Sequence, residues 1–581
     1  MSAICGYTGG DGRAALDAML AASSCHGGTA DKRVVEGAGI GRYGTAGAAG
    51  SISHNATQIS VISGTIVAPE MASSANLARL LADPAALPSL DGRFSAVAWD
   101  GATKRLTLLR DPFGARPLFY VWHGGTFYFA SELKQLLAIP GLPVAPDLAA
   151  IHKYLTFSFV PGEDMPISGI KRLPPGVIAT VENSKLTQRP YFTLTEAIDP
   201  AFEDQHAAVR LIASRCRNAV AARAAGLSKG AEAGLFLSGG LDSSGVGVWL
   251  KRLGVKVRAF TLDFGAESFE TEQAKRVANQ LDFPLTLVKV DGADVAAVIP
   301  SLAWSLDLPF GDPVTGPQYL MAKAARDAGL SVVFNGEGGD QLFGGWTSKP
   351  MIAAELYSGL YAEDTREQQY LKSYHRFYGA EDELYTDAFK HGIGPPGVRR
   401  ALLSPYLGDG TTDTFLNRVR LADINLKGSQ NILPRMTQTA LGWGIDVVAP
   451  LFDRALAEAS FKLPPQMKLN GACEKYVLKL VLQNALPADI VWQRKLGMGV
   501  PVTPWAFDGL KPALDDLLSE VSVKARGLFD PATIARLRSG ENEPGEIRRR
   551  RLGERLWTLA MLEAWMRVFI DGRGKAPGGI A

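Results

Sequence analysis

The stretch Gly234-Leu-Phe-Leu-Ser-Gly-Gly-Leu-Asp-Ser-Ser244 restricts what this chain can fold into more than any other. An apolar strand ends in Ser238-Gly239-Gly240, and a helix begins around Leu241-Asp242-Ser243-Ser244. The glycines let the backbone approach an anion closely. The N–H groups at the helix start, with the serine hydroxyls, point at that anion. Asp242 repels a phosphate, so its natural role is to hold a Mg²⁺ that bridges to one. A bare Ser-Gly-Gly would read as an ordinary capped turn, but the full pattern behind an apolar strand reads as a pyrophosphate-binding loop. No lysine follows the glycines, so this is not the Walker A arrangement.

The surroundings fit an α/β unit. From His206 onward, amphipathic helical stretches alternate with short apolar strands at Ala233–Leu237, Val257–Leu262, Leu285–Val290 and Ser331–Asn335. That alternation argues for a parallel sheet flanked by helices. After about residue 350 the pattern is mainly helical. A second glycine-rich acidic segment, Asn335-Gly-Glu-Gly-Gly-Asp340, again follows a short apolar strand. In an open α/β sheet, ligands gather at the carboxyl ends of the strands. Glu337 and Asp340 are therefore expected beside Ser238 and Asp242, with Asp340 a second Mg²⁺ ligand and Glu337 orienting or deprotonating an amine. A third segment runs Glu474-Lys475-Tyr476, then Trp492-Gln-Arg-Lys495-Leu-Gly-Met-Gly-Val-Pro501. Lys495 is a point charge suited to a departing pyrophosphate.

In this order the three segments closely resemble asparagine synthetase, a family of the ATP pyrophosphatase type. Leu308-Pro309-Phe310 and Pro450-Leu-Phe-Asp-Arg454 extend the likeness, which spans roughly residues 205–570. The resemblance implies a site in which Leu237 and Leu262 flank adenine. Ser238, Gly239, Gly240, Asp242, Ser243 and Ser244 would hold the phosphates. Asn335 and Gly336 would line the nucleotide, Glu337 the acyl and amine site, Asp242 and Asp340 would bind Mg²⁺, and Lys495 pyrophosphate. The cofactors implied are ATP and Mg²⁺. Where the family has Glu-x-Arg ahead of its Pro-Phe-Leu-Asp, this chain has Asp446-Val447-Val448, which puts aspartate, the family's usual acyl substrate, in question.

Residues 1–191 read differently. Short strands at Gln58–Ile62, Phe94–Trp99, Leu106–Leu109 and Pro117–Val121 are separated by turns such as Asp91-Gly92 and Asp111-Pro-Phe-Gly114. This is an α+β sandwich pattern. It is similar to the glutaminase domain of asparagine synthetases, an Ntn-hydrolase-like fold, in Asp91-Gly-Arg-Phe94, Arg110-Asp-Pro-Phe-Gly114 and Ala130-Ser-Glu-Leu-Lys134. The reacting positions depart from the family. Methionine removal would expose Ser2 rather than Cys5, which makes Cys5 a vestigial nucleophile. His-Arg-Gly-Pro-Asp becomes His26-Gly-Gly-Thr-Ala30, without the Arg that would clamp a glutamine carboxylate, and Asn-Gly-Glu becomes Ser63-Gly-Thr65. A type 2 amidotransferase-like domain without a working glutaminase site is expected. The amine must then be free ammonia or one carried by the substrate itself. Relatives with degenerate glutaminase domains include β-lactam synthetases, which carry Tyr where this chain has Glu337, and the macrolactam cyclases of lasso peptides. The favoured expectation is a lasso-type isopeptide cyclase acting on a peptide carboxylate. The alternatives are an asparagine synthetase using ammonia or glutamine, and a non-catalytic scaffold.

The remaining features narrow the partners. A formal net charge of +2 gives no bulk reason to expect nucleic acid or membrane. Cys5, Cys25, Cys216 and Cys473 are scattered without Cys-x-x-Cys spacing, which suggests a reducing compartment. No signal peptide or long apolar run is read, so the expected localisation is cytoplasmic. The expected partners are a small-molecule or peptide carboxylate, with room for a precursor peptide, a protease and a homodimer. Arg548–Arg551 and the aromatic stretch Tyr370–Tyr385 read as a solvated helix face and as core or interface, respectively. Residues 192–204 read as a linker, and residues 571–581 as a flexible tail.

Overall fold

The computed structural model describes residues 2–23, 28–44, 51–55, 57–67, 73–82, 87–228, 230–265, 270–345, 365–373, 376–408, 410, 412–493, 499–540 and 551–578. Two six-stranded antiparallel sheets make up the N-terminal part. One runs in the order Lys171–Arg172, Phe119–His123, Thr126–Ala130, Ser2–Thr8, Ala38–Gly44, Thr29–Val35. The other runs Lys185–Pro190, Val177–Glu182, Arg105–Arg110, Gly92–Asp100, Gln58–Ile66, Ser53–His54. Ile4, Ile40, Phe127 and Phe129 of the first sheet bury themselves against Ile59, Val61, Val97, Trp99 and Leu106 of the second. The hairpin between Phe119–His123 and Thr126–Ala130 turns on Gly124-Gly125, both at positive φ (57° and 77°), as a two-residue turn matched to strand twist requires. Helix Arg13–Ala21 covers the outer face of the first sheet with Leu16, Met19 and Leu20.

The C-terminal part is built on a five-stranded parallel sheet ordered Leu285–Lys289, Lys256–Asp263, Glu232–Phe236, Val332–Phe334, Asp446–Val448. The chain starts at the central strand, builds outward on one side, then returns to the other. The switch point therefore falls between Glu232–Phe236 and Val332–Phe334, where a crevice opens at the strand ends. The four strands expected from the apolar runs are present within a residue or two of their ends. The fifth, Asp446–Val448, is an addition: three residues are too few for periodicity to reveal.

The two parts share core. One cluster of buried side chains contains Cys5, Tyr7 and Leu16 from the sandwich together with Leu302, Trp557 and Trp565 from the helical additions. Polar contacts lock the seam. Arg223 bridges Asp91 (3.0 Å) and Asp453 (2.7 Å), and Tyr154 donates to the Thr558 carbonyl at 2.8 Å. The linker is also tied down, since Glu196 accepts from Thr414 Oγ1 at 2.6 Å. Of the expected tail, Gly574 accepts from Trp304 Nε1 at 3.0 Å, and Arg573 donates to the Leu142 carbonyl at 2.9 Å. Tyr370, Phe377 and Tyr385 are buried, so these aromatic residues are core. Arg548–Arg550 lie outside the described residues.

Candidate active site

Strand Glu232–Phe236 delivers the chain into Leu237-Ser238-Gly239-Gly240, and helix Leu241–Arg252 follows with Gly240 at its cap and no side-chain capping bond. The serines knit the turn from within. Gly240 N–H donates to Ser238 Oγ (3.2 Å), Ser238 N–H donates to Ser243 Oγ (3.2 Å), and the two hydroxyls lie 3.2 Å apart. Only glycine fits at 239. Its φ is +73°, and a Cβ there would sit 2.5 Å from the Ala274 nitrogen. Gln273, beside it, donates to Gln493 at 2.7 Å, so the segment leading to residue 494 starts alongside this turn. Lys495 itself lies outside the described residues.

The second segment meets the first across the switch point. The Asn335 side chain accepts from Glu337 N–H at 3.1 Å, and its own Nδ2 is buried without a partner among the described residues. Three glycines make the space. A Cβ on Gly336 would lie 2.3 Å from Ser243 N, one on Gly339 2.2 Å from Asp242 Oδ1, and one on Gly345 2.0 Å from Asp340 Oδ1. Asp242 and Asp340 both reach Lys475, whose Nζ lies 2.5 Å from Asp242 Oδ2 and 2.5 Å from Asp340 Oδ1. Among the described residues no cluster of three or more His, Cys, Asp or Glu could hold a metal. Two converging carboxylates nevertheless suit Mg²⁺, which is commonly held by one or two carboxylates together with substrate phosphates.

A cavity of about 330 Å³ collects these groups. Leu237, Ser238, Asp242, Ser243, Leu262, Asn335, Gly336, Glu337 and Asp340 all line it. Gly239, Gly240 and Ser244 do not line it; they shape the turn behind it, and Ser244 is fully buried. One charged stretch of its wall holds Asp312, Gln318, Lys427 and Arg435, which the sequence reading did not single out. Arg435 pairs with Asp312 at 2.8 Å. Burial pushes the Asp312 carboxyl up, but Arg435, Arg376, the Val314 N–H and Lys427 together outweigh it and hold it below its ordinary value. Lys427 and Arg435 come from a segment in which helix Phe415–Ala422 widens into ten residues of π-helix, Asp423–Ile432, before Leu433–Leu441 resumes as α-helix. Such widened turns often mark functional sites, and no apolar spacing announces them. Lys475, by contrast, was within reach of sequence reasoning, because it belongs to the Glu474-Lys475-Tyr476 segment already noted.

In the sandwich, Cys5 sits inside strand Ser2–Thr8, opposite Gly41 on one side and Ala130 on the other, with no exposed surface. Burial, reinforced by Glu132, pushes its thiol far above the ordinary range, the opposite of what a nucleophile needs. His26 and Gly27 lie outside the described residues.

A nucleotide-type turn at the switch point of a parallel sheet, with paired carboxylates and an acid facing the cavity, defines an ATP-dependent carbon–nitrogen ligase set behind an amidotransferase-like sandwich. The asparagine synthase family profile matches residues 212–567, so the chain belongs to that family. A glutamine amidotransferase domain profile matches residues 80–192. The chain is 23% identical to asparagine synthetase [glutamine-hydrolyzing] 1 of Bacillus subtilis, over 84% of this chain and 79% of that one. It is 26% identical to a putative asparagine synthetase [glutamine-hydrolyzing] of Mycobacterium tuberculosis, over 84% and 78%. It is also 24% identical to the amidase chyE of Penicillium rubens, over 76% and 74%.

Proposed function

We propose that this enzyme activates a carboxylate as its adenylate and passes the acyl group to an amine carried by the same substrate, closing a peptide macrolactam. The observation that carries the amine source is the state of Cys5, fully buried in mid-strand with its thiol held protonated. The amidotransferase profile match, which begins at residue 80, is in keeping with a glutaminase function that has been lost.

In the first step a carboxylate oxygen attacks the α-phosphorus of ATP, and the bond from that phosphorus to the bridging oxygen breaks to release pyrophosphate. The helix-start N–H groups at Leu241–Ser243 and the Ser238 hydroxyl receive the phosphate oxygens, and Leu237 and Leu262 flank the base. By its likeness to the family's lysine, Lys495 would neutralise the leaving pyrophosphate. Asp242 and Asp340 would hold Mg²⁺, which neutralises phosphate charge when bound. In the second step the amine nitrogen attacks the acyl carbon, AMP leaves, and Glu337 takes the nitrogen's proton. Holding both reacting groups of one peptide together in the cavity is the source of rate.

A second reading, asparagine formation from aspartate and ammonia, is favoured by the relatives' names and by the Lys427, Arg435 and Asp312 wall, whose charges match an amino-acid head group. AMP and pyrophosphate release separates the two. Assays would contain aspartate with ammonia, aspartate with glutamine, or linear peptides bearing an acidic side chain near the N-terminus. Turnover with a peptide alone, with loss of one water from its mass, supports the cyclase. Asparagine formation overturns it.

A further inference from the structure

The Asp242–Asp340 pair already has a cation, and it belongs to the protein. Lys475 Nζ lies 2.5 Å from an oxygen of each carboxylate, and its side chain is 3% exposed. Its placement is built in. Lys475 caps helix Tyr476–Leu482 at a positive φ of 56°, directly after the hairpin of Leu469–Asn470 and Cys473–Glu474, and Tyr476 N–H is anchored on the Lys468 carbonyl at 3.1 Å. Gly345 leaves room for the lysine stem, since a Cβ there would come within 2.3 Å of Lys475 Cε.

A Mg²⁺ ligated by the same two aspartates needs carboxylate oxygens at about 2.0–2.1 Å, which puts it in the space that the ammonium fills. Two cations cannot occupy one space, and a divalent ion displaced to a few ångströms from the ammonium loses close carboxylate contact and meets repulsion as well. Only a further source of negative charge can draw the flexible lysine off the pair, and the polyphosphate of the nucleotide is that source. We propose that Lys475 and a divalent cation exclude one another at Asp242 and Asp340, so that the metal is accepted only together with the nucleotide phosphates, onto which Lys475 then moves. This rests on the assignment of the two aspartates as the metal-binding pair.

The test is Mn²⁺ binding to the full-length protein, followed by electron paramagnetic resonance, with and without the non-hydrolysable α,β-methylene analogue of ATP. The wild-type protein is expected to bind one Mn²⁺ tightly with the analogue and at least tenfold more weakly without it. Lys475→Met is expected to bind Mn²⁺ without nucleotide at least tenfold tighter than wild type, and adding Asp340→Asn is expected to abolish the gain. Lys475→Gln, which keeps a polar head between the carboxylates, is the second variant should the Met form not fold, with the same direction expected. If neither neutral variant binds Mn²⁺ tighter than wild type, while Asp340→Asn alone loses nucleotide-dependent binding, the aspartates hold the metal but Lys475 does not compete, and the proposal fails by itself. If wild type binds no Mn²⁺ even with the analogue, the assignment of the metal pair fails and takes the proposal with it.

Discussion

Arg93 and Asp446 join the two halves of the molecule by a two-pronged ion pair, Nη1 to Oδ1 at 2.9 Å and Nη2 to Oδ2 at 3.0 Å, and Arg116 adds a third contact at 3.0 Å. Both arginines come from the sandwich, and the aspartate lies on the outer strand of the parallel sheet. The position that departs from the family's Glu-x-Arg thus serves the seam between domains here.

Acid stability should report this pair. Burial pushes the Asp446 carboxyl up, but Arg93 and Arg116 outweigh it and hold it well below the usual carboxylate range. A depressed folded value means that the stabilisation is present above the unfolded value of about 4 and is lost as pH falls through the folded one. Urea unfolding between about pH 5 and pH 2.5 should show wild type losing stability more steeply than Asp446→Asn. Parallel curves would remove Asp446 as an acid-labile contact.

Lys134 and Asp307 form a buried cross-domain pair at 2.7 Å, each 1% exposed, with the lysine also 4.9 Å from the centre of the Trp304 ring. Burial pushes the Asp307 carboxyl up against the pull of Lys134, so its charge depends on that partner. Lys134→Met should cost about 3–5 kcal/mol in unfolding free energy, and Lys134→Met with Asp307→Leu less, because only Glu132, 3.5 Å from the lysine, is then left as a buried carboxylate without its cation. Chemical denaturation at pH 7 checks both values.

Gly339→Ala should silence the chemistry and leave the fold. Its Cβ would fall 2.2 Å from Asp242 Oδ1, so the carboxylate must move by about an ångström, and misplacement of that size can cost about 100-fold in rate. Pyrophosphate release at saturating substrate is the assay, with thermal melting as the control for folding.

Cys5 should be chemically inert. Iodoacetamide applied to the native protein should leave Cys5 and Cys216, both buried, unmodified, while the half-buried Cys473 reacts. Peptide mapping reads this directly. In the same assay series, Cys5→Ala should keep amine-dependent AMP release close to wild type, because a buried thiol outside the synthetase cavity touches none of the reacting groups.

Much of the site could be read from the chain because its parts are contiguous. Ser238–Ser244 and Asn335–Asp340 each combine a strand end with a glycine turn, and the rule for strand ends brings them together. What escaped depends on long-range geometry. Lys427 lies in, and Arg435 just after, ten residues of helix wider than the α period, and period-based reading has no term for that. Asp446 looked like a changed substrate residue because sequence shows the position and not the two arginines, 353 and 330 residues away, that it meets. Lys475 was visible as a residue, but its role needed the distance to both aspartates.

The cluster that takes in both Cys5 and Trp565 has a practical consequence for handling the protein. A protease cutting within residues 192–204 would leave two fragments with no covalent tie and no separate existence. They should co-elute as one particle, melt in a single transition and part only under denaturant, so that a nicked preparation would pass for intact enzyme on every column except a denaturing gel.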